Sequence, residues 1–151
     1  MRNDVKLKDV TADNWRAVVG LRLEPGQEDL VADNAYSLVE ARFDPDARPR
    51  AVYAGKRIVG FLMYEVQQPR HKPHEAAIYR FMIDRKHQGK GYGRAALSKA
   101  LDEIRAIVPR VTKISIGYMP ENRVAKPFYA SFGFVEVGKD EDGEMIAELT
   151  L

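Results

Sequence analysis

Between an apolar run and a stretch with helical spacing, the chain carries Gln88-Gly89-Lys90-Gly91-Tyr92-Gly93. Glycines at such a junction let the main chain approach a ligand without Cβ atoms in the way. Amides at the start of a helix, together with its dipole, hold phosphate or pyrophosphate. Arg85, Lys86, Lys90 and Arg94 surround the turn, with no acidic residue between positions 85 and 94. That charge suits a polyanionic ligand; a glycine-rich turn with a solvated basic edge is the plainer alternative. A Walker A loop is excluded, because no Gly-Lys-Ser/Thr occurs. Gly91-Tyr92-Gly93-Arg94-Ala95-Ala96 satisfies G-x-G-x-x-A, but the acidic ribose-binding residue due about 20 positions on is missing around Ser115-Ile116-Gly117. Dinucleotide binding is not expected.

The elements that must position this turn follow from periodicity. Val5 to Val10 alternates apolar and charged residues, as a strand does. Thr11 is a candidate N-cap for a helix through Trp15, Val18, Val19 and Leu21, with Trp15 expected in the core. After Pro25-Gly26, a second helix is expected from about Leu30 to Phe43, ended by Asp44-Pro45. Ala51 to Ala54 and Ile58 to Val66 read as a hairpin about Gly55-Lys56, followed by a loop from Gln67 to His74. Ala76 to Ile83 is apolar at nearly every position, as in a strand buried on both faces. Helical spacing runs from Arg94 to Val108 before Pro109, and Ile114 to Tyr118 is a further strand. A short helix from Val124 to Ser131 stops at Gly133, and Phe134 to Val137 and Met145 to Leu149 form a last hairpin about Glu141-Asp142-Gly143. The order β-α-α-β-β-β-α-β-α-β-β describes one mixed α/β domain over residues 1–151.

Two blocks on this frame match a known pattern. Gln88-x-x-Gly91-x-Gly93 resembles the acetyl-CoA-binding Q/R-x-x-G-x-G/A signature of the GNAT N-acetyltransferases. Asn122, Ala125, Phe128-Tyr129 and Phe132-Gly133-Phe134 are similar to the same family's N-x-x-A-x-x-F-Y-x-x-x-G-F pattern. The element order agrees over nearly the whole chain. The resemblance implies a GNAT fold, with a mostly antiparallel sheet of six to seven strands flanked by about four helices. It implies that the strand before the glycine turn splays from its neighbour, so that Phe81, Met82 and Ile83 pair with the pantetheine arm of CoA. Pyrophosphate would sit on the amides of Gln88, Gly89, Lys90, Gly91, Tyr92 and Gly93, with Arg94 and Lys126 beside the cofactor and Asn122 touching its arm.

Tyr129 matches the tyrosine that, in many members, protonates the departing CoA thiolate. Acyl transfer from a thioester to an amine needs a neutral amine, a polarised carbonyl and a proton for sulfur. A phenol, with a pKa near about 10, can supply that proton. Packing under the final hairpin beside Phe128 and Phe132 is the alternative for Tyr129. Pro127 is expected to kink the short helix if it lies beyond the first turn. Glu75, at the mouth of the buried strand, is a candidate proton acceptor through water, or else a solvated strand-entry charge. Tyr79 and Tyr118 either line the tunnel or belong to the core.

Between Glu24 and Asp46 lie Glu24, Glu28, Asp29, Asp33, Glu40, Asp44 and Asp46, against Arg42 alone. In the resembled fold this region forms much of the acceptor wall, and a negative wall suits a cationic amine. Leu30-Val31-Ala32-Asp33-Asn34-Ala35 with Ser37-Leu38, and Tyr79-Arg80-Phe81-Met82-Ile83-Asp84, resemble the bacterial spermine/spermidine (diamine) acetyltransferase branch. Glu28, Asp33 and Glu40 are the candidate amine contacts, joined by Glu75 and Tyr79. A polyamine is the expected acceptor. The alternatives are a protein N-terminus, lysine or another small amine, and, in a different class, an acetyl-CoA sensor without turnover.

Composition bounds what else the protein can be. The chain has 151 residues, 45% hydrophobic and 30% charged, typical of a folded globular domain. It contains no cysteine, so disulfides, thiolate zinc sites and cysteine nucleophiles are excluded. His71, His74 and His87 do not complete a recognised metal spacing, and no metal is expected. A net charge of +2 argues for neither nucleic acid nor an anionic membrane. With no signal-like start and no apolar run near ~18 residues, the expected location is cytoplasmic. Dimerisation through the C-terminal strands is common in the resembled family, and a homodimer is the corresponding expectation.

Overall fold

The computed structural model describes residues 4–28, 32–66, 74–107 and 110–151. Asp29 and Leu30, the loop residues 67–73 with His71, and Val108 and Pro109 lie outside that set. The elements are β1 (Val5–Asp9), α1 (Trp15–Val19), α2 (Asn34–Arg42), β2 (Ala47–Ala54), β3 (Arg57–Val66), β4 (Glu75–Ile83), a 3-10 turn (Arg85–His87), α3 (Tyr92–Arg105), β5 (Lys113–Tyr118), α4 (Ala125–Ala130), β6 (Val135–Lys139) and β7 (Met145–Thr150). Apart from the 3-10 turn, this is the order read from periodicity. The strands form one seven-stranded sheet, β1-β2-β3-β4-β5-β7-β6, in which β4–β5 is the parallel pair and all other neighbours are antiparallel.

Helices cover both faces. On one side α3 buries Ala96, Leu97, Ala100, Leu101 and Ile104, a single stripe at helical spacing. That stripe packs with Val59, Leu62, Ile78, Ile114 and Ile116 from the sheet. On the other side Val18 of α1 and Leu38 and Ala41 of α2 pack with Phe61, Met63 and Met82. Every residue of β3 from Val59 to Tyr64 is buried, because it faces helices on both sides.

Some local expectations give way to tertiary context. Trp15 is 41% exposed, with the Arg16 guanidinium 4.7 Å above its ring, so it is a surface residue. The cap of α1 is Asn14; the Thr11 carbonyl instead accepts from the Asn14 and Trp15 amides at 3.3 and 3.0 Å, closing a turn. Strand β2 starts earlier than alternation indicates, with Pro49 opposite Met63. β1 pairs only from Arg50 onward, so Pro49 lies past the end of that partner and its missing N–H costs no ladder bond there.

Gly60 in β3 determines how closely the end of β4 can approach. A Cβ there would lie 2.6 Å from the Met82 carbonyl oxygen and 2.7 Å from Ile83 Cδ1. Gly60→Ala should therefore push Met82 and Ile83 outward and cost about 1–3 kcal/mol, as overpacking does. Urea unfolding measures the loss; an unchanged midpoint would show that β4 shifts freely at this point.

Candidate active site

Strands β4 and β5 run together only from Glu75–Lys113 to Ile78–Ile116. Beyond that pair β4 continues through Tyr79, Arg80, Phe81, Met82 and Ile83, held on its other edge by β3 as far as Gly60–Ile83. The edge facing β5 is left without a strand partner, and a cleft opens between the two strands. The register between β3 and β4 shifts at Met63/Tyr64, leaving Tyr79 as the extra residue of a bulge. A bulge re-aims side chains. Tyr79 packs with the α1–α2 cluster, and the next residue, Arg80, reaches Glu40 of α2 at 2.9 Å.

The glycine turn closes one end of this cleft. Asp84 caps the 3-10 turn by accepting from Lys86 N at 3.2 Å, and its other oxygen accepts from Arg22 N at 2.8 Å. The chain after α1 is thereby tied to the end of β4. Gln88 Nε2 donates to Ile83 O and to Gln27 Oε1, both at 3.1 Å. Gly89 and Gly91 have φ of +77° and +85°, which a Cβ would disfavour. Gly91 is the N-cap of α3 and makes no side-chain cap, and the first turn contains no acid. The amides of Tyr92, Gly93 and Arg94 thus begin the helix without intrahelical acceptors, beside the cleft, where an anion is favoured.

Helix α4 supplies the opposite wall. Pro127 is its third residue after the N-cap Val124, where an amide has no intrahelical partner, so it breaks no helix bond. Pro127 lies within the first turn, so the condition for a kink is not met. Asn122 Oδ1 accepts from Ala125 N at 3.3 Å and holds the start of the helix. The Tyr129 ring lies among Phe128, Tyr118 and Phe134, with centroids 5.2, 5.6 and 5.9 Å away. Its hydroxyl makes no hydrogen bond among the described residues, and burial raises its pKa above the usual phenol value. Such a phenol holds its proton at neutral pH and is a donor to negative charge that develops beside it. Tyr118 donates to Glu136 Oε2 at 2.6 Å, and burial with this bond pushes its pKa up to about 12.

These elements enclose two adjoining cavities. One, of about 320 Å³, is lined by Phe81, Met82, Ile83, Gln88, Gly89, Gly91, Tyr92, Gly93, Asn122 and Tyr129, with Leu23 and Gln27 from the α1–α2 connection. The other, of about 230 Å³, lies farther into the splay and shares Phe81, Asn122 and Tyr129 with the first. Tyr79, Arg80, Gly117, Tyr118 and Glu144 also line it, with Ala32, Ile78 and Met119. A long ligand along β4 would have its anionic part at α3 and its reactive end near Tyr129, open to a second molecule.

The acetyltransferase (GNAT) family model matches residues 9–134. The chain belongs to that family. It is 30% identical to the spermine/spermidine N(1)-acetyltransferase of Bacillus subtilis over 96% of this chain and 99% of that one. Among solved structures, a CoA complex of the aminoglycoside acetyltransferase AAC(6')-Ib has a TM-score of 0.80 at 17% identity, covering 97% of this chain and 95% of that one. Spermidine N-acetyltransferase from Vibrio cholerae, with CoA and spermine, has a TM-score of 0.75 at 20% identity, covering 99% and 96%. The fold is the GNAT fold, and acetyl-CoA is the donor.

In this acetyltransferase most of the residues expected to hold the donor meet at one cleft. Lys90, Arg94 and Lys126 do not line it. Arg94 spans to α4 instead, donating to Ser131 Oγ at 2.9 Å and stacking on Phe132 at 4.8 Å. Lys126 faces Glu136 at 3.4 Å. The acidic residues are more dispersed. Glu28 and Asp33 line a third cavity, which shares Leu23 and Met82 with the donor cleft. Glu28 Oε1 accepts from Gly26 N at 2.7 Å, and Asp33 Oδ1 caps α2 by accepting from Tyr36 N at 2.8 Å. Glu40 is neutralised by Arg80. Glu75 pairs with Lys113 at 3.7 Å, where β4 and β5 are still together, roughly 20 Å along the strand from Phe81. Tyr79 lines the inner cavity, while its hydroxyl is sealed without a hydrogen-bond partner among the described residues, near Glu65 and Glu40. His74 and His87 flank opposite ends of β4. Among the described residues no helix is long and apolar enough to cross a membrane.

Leu23, Gln27 and Glu144 were not legible as cleft residues. The first two are brought there by the Asp84–Arg22 tie, and Glu144 by the final hairpin, neither of which leaves a periodic signal. Asp140 to Glu144 has the composition of an ordinary turn.

Proposed function

We propose that this acetyltransferase transfers the acetyl group of acetyl-CoA directly to a primary amine of a polyamine such as spermine or spermidine. The observation that carries the reading is the set of carboxylates on both sides of the donor cleft. Glu28 and Asp33 line the cavity on the α2 side, and Glu144 lines the inner cavity beside Tyr129. A linear polycation can place one amine at the thioester and still meet a carboxylate with a remote ammonium. A monoamine can use only one of them. The similarity to the Bacillus spermine/spermidine enzyme extends over nearly the full chain and supports the same choice.

Each residue then has a part. The free edge of β4 at Phe81, Met82 and Ile83 pairs with the pantetheine arm. The amides from Gly89 to Gly93 receive the pyrophosphate, Asn122 touches the arm, and Tyr129 protonates the departing thiolate. Release of CoA thiol from acetyl-CoA tests the substrate, with spermine, spermidine, putrescine, free lysine and basic peptides as acceptors. Saturable turnover on spermine or spermidine and none on peptides is the expected result. Preference for peptides would keep the reaction and discard the polyamine. Tight CoA binding without turnover on any amine would mark a sensor.

A further inference from the structure

Resting on the polyamine reading, we propose that Glu144 is the group that takes the proton from the reacting ammonium. Glu144 follows the turn at Asp140–Gly143, and that turn aims it. Asp140 Oδ1 accepts from both Asp142 N and Glu144 N at 2.9 Å, and Asp140 N donates to Glu144 O at 2.9 Å. With its backbone pinned, the side chain passes over Gly117 of β5. A Cβ on Gly117 would lie 2.6 Å from Glu144 Oε1, so the carboxylate occupies the space that glycine leaves. Gly117 is the first β5 residue beyond the paired stretch and precedes Tyr118, whose ring stacks on Tyr129 at 5.6 Å. The carboxylate thus enters the inner cavity from the side opposite β4.

Other acids near the clefts are engaged or misplaced. Glu40 is paired with Arg80, Glu75 with Lys113, and Glu136 with Tyr118 and Lys126, whose bonds hold its pKa low. Glu28 and Asp33 belong to the other cavity. Glu144 makes no side-chain hydrogen bond or ion pair among the described residues, and it is the one acid lining the inner cavity among them. The charged groups that act on it are Asp140 and Asp142 from its own turn and Arg80 from β4. Burial first, then Asp140, raises its pKa; Arg80 opposes this only in part. A carboxylate so placed is a stronger base than one in water.

The reaction balances with Glu144 and Tyr129 alone. Glu144 takes one proton from the ammonium, and the free amine attacks the thioester carbonyl carbon, forming C–N. As C–S breaks, Tyr129 gives its proton to sulfur and recovers one from the nitrogen. Glu144 releases its proton to water, and the products are the N-acetyl amine and CoA thiol.

The test compares wild-type protein with Glu144→Gln, Glu144→Asp and Gly117→Ala, using acetyl-CoA and spermine. Glu144→Gln should lower kcat by about 10²-fold. It should leave CoA affinity by calorimetry unchanged and remove the rise of kcat/KM with pH that reports a carboxylate. Glu144→Asp should restore part of the rate. Gly117→Ala, which displaces the carboxylate while keeping it, should lower kcat in the same direction. A Gln variant with wild-type kcat and pH profile would overturn the proposal. So would a rise in KM alone, which would leave Glu144 only an anchor for the ammonium. Wild-type protein that rejects spermine but uses another amine fails the polyamine reading, and the same comparison on that amine then decides Glu144. Wild-type protein inert on every amine overturns both.

Discussion

Tyr129→Phe is expected to lower kcat by roughly 10²–10³-fold while CoA affinity stays within about twofold, as loss of one general acid does. The ring is held by Phe128, Tyr118 and Phe134, contacts that phenylalanine keeps. Only the hydroxyl is removed, and it has no hydrogen-bond partner among the described residues whose loss would disturb the fold. Burial raises its pKa, so the phenol is protonated at every pH of interest and the variant loses a donor rather than a charge. Steady-state turnover together with calorimetry for CoA checks the prediction. A variant with wild-type kcat would show that water delivers the proton to sulfur and would return Tyr129 to a packing role.

Gly91→Val is expected to weaken CoA binding by at least about 10²-fold, close to 2.7 kcal/mol. Gly91 has a φ of +85°, disfavoured for any side chain and most of all for a β-branched one. The added bulk also stands where the main chain must meet the pyrophosphate, at the helix start that supplies its amides. Losing one or two charge-assisted hydrogen bonds accounts for the magnitude. The matched control is Gly93→Ala. A Cβ there meets Ile83 Cγ1 at 3.7 Å and Phe81 Cζ at 4.0 Å, ordinary contacts, so near-normal affinity is expected. Normal CoA affinity in a folded Gly91→Val protein would move the pyrophosphate away from this turn.

The two predictions separate the halves of the site. One removes a proton donor and leaves binding; the other removes binding and leaves the proton donor. A residue that matters only for stability would follow neither pattern. Gly60→Ala has its effect on unfolding for that reason, since its clash is with the backbone that supports the cleft.

Composition and local pattern alone determined a large share of this protein. Alternation in β1, the largely apolar run of β4 and the single stripe of α3 are local signals that read correctly as elements one at a time. Strand β4 is nonetheless buried only at Ala76, Ile78 and Met82 rather than on both faces, since β5 leaves it after Ile78. The glycine turn and the Asn122-to-Phe134 block are contiguous motifs whose members act together because they are neighbours in the chain. The donor cleft was legible to that extent, short of Lys90, Arg94 and Lys126, whose long side chains choose partners in three dimensions. The walls beyond these motifs were not legible, because their residues come from separate places in the chain. A bulge turns Arg80 onto Glu40, a carboxylate at Asp84 draws Leu23 and Gln27 over the cleft, and Gly117 makes room for Glu144. Counting acids between Glu24 and Asp46 gave the sign of a wall but not which charges remain uncancelled. Pairing, capping and burial decide that, and they depend on distances between elements that only the packed sheet establishes.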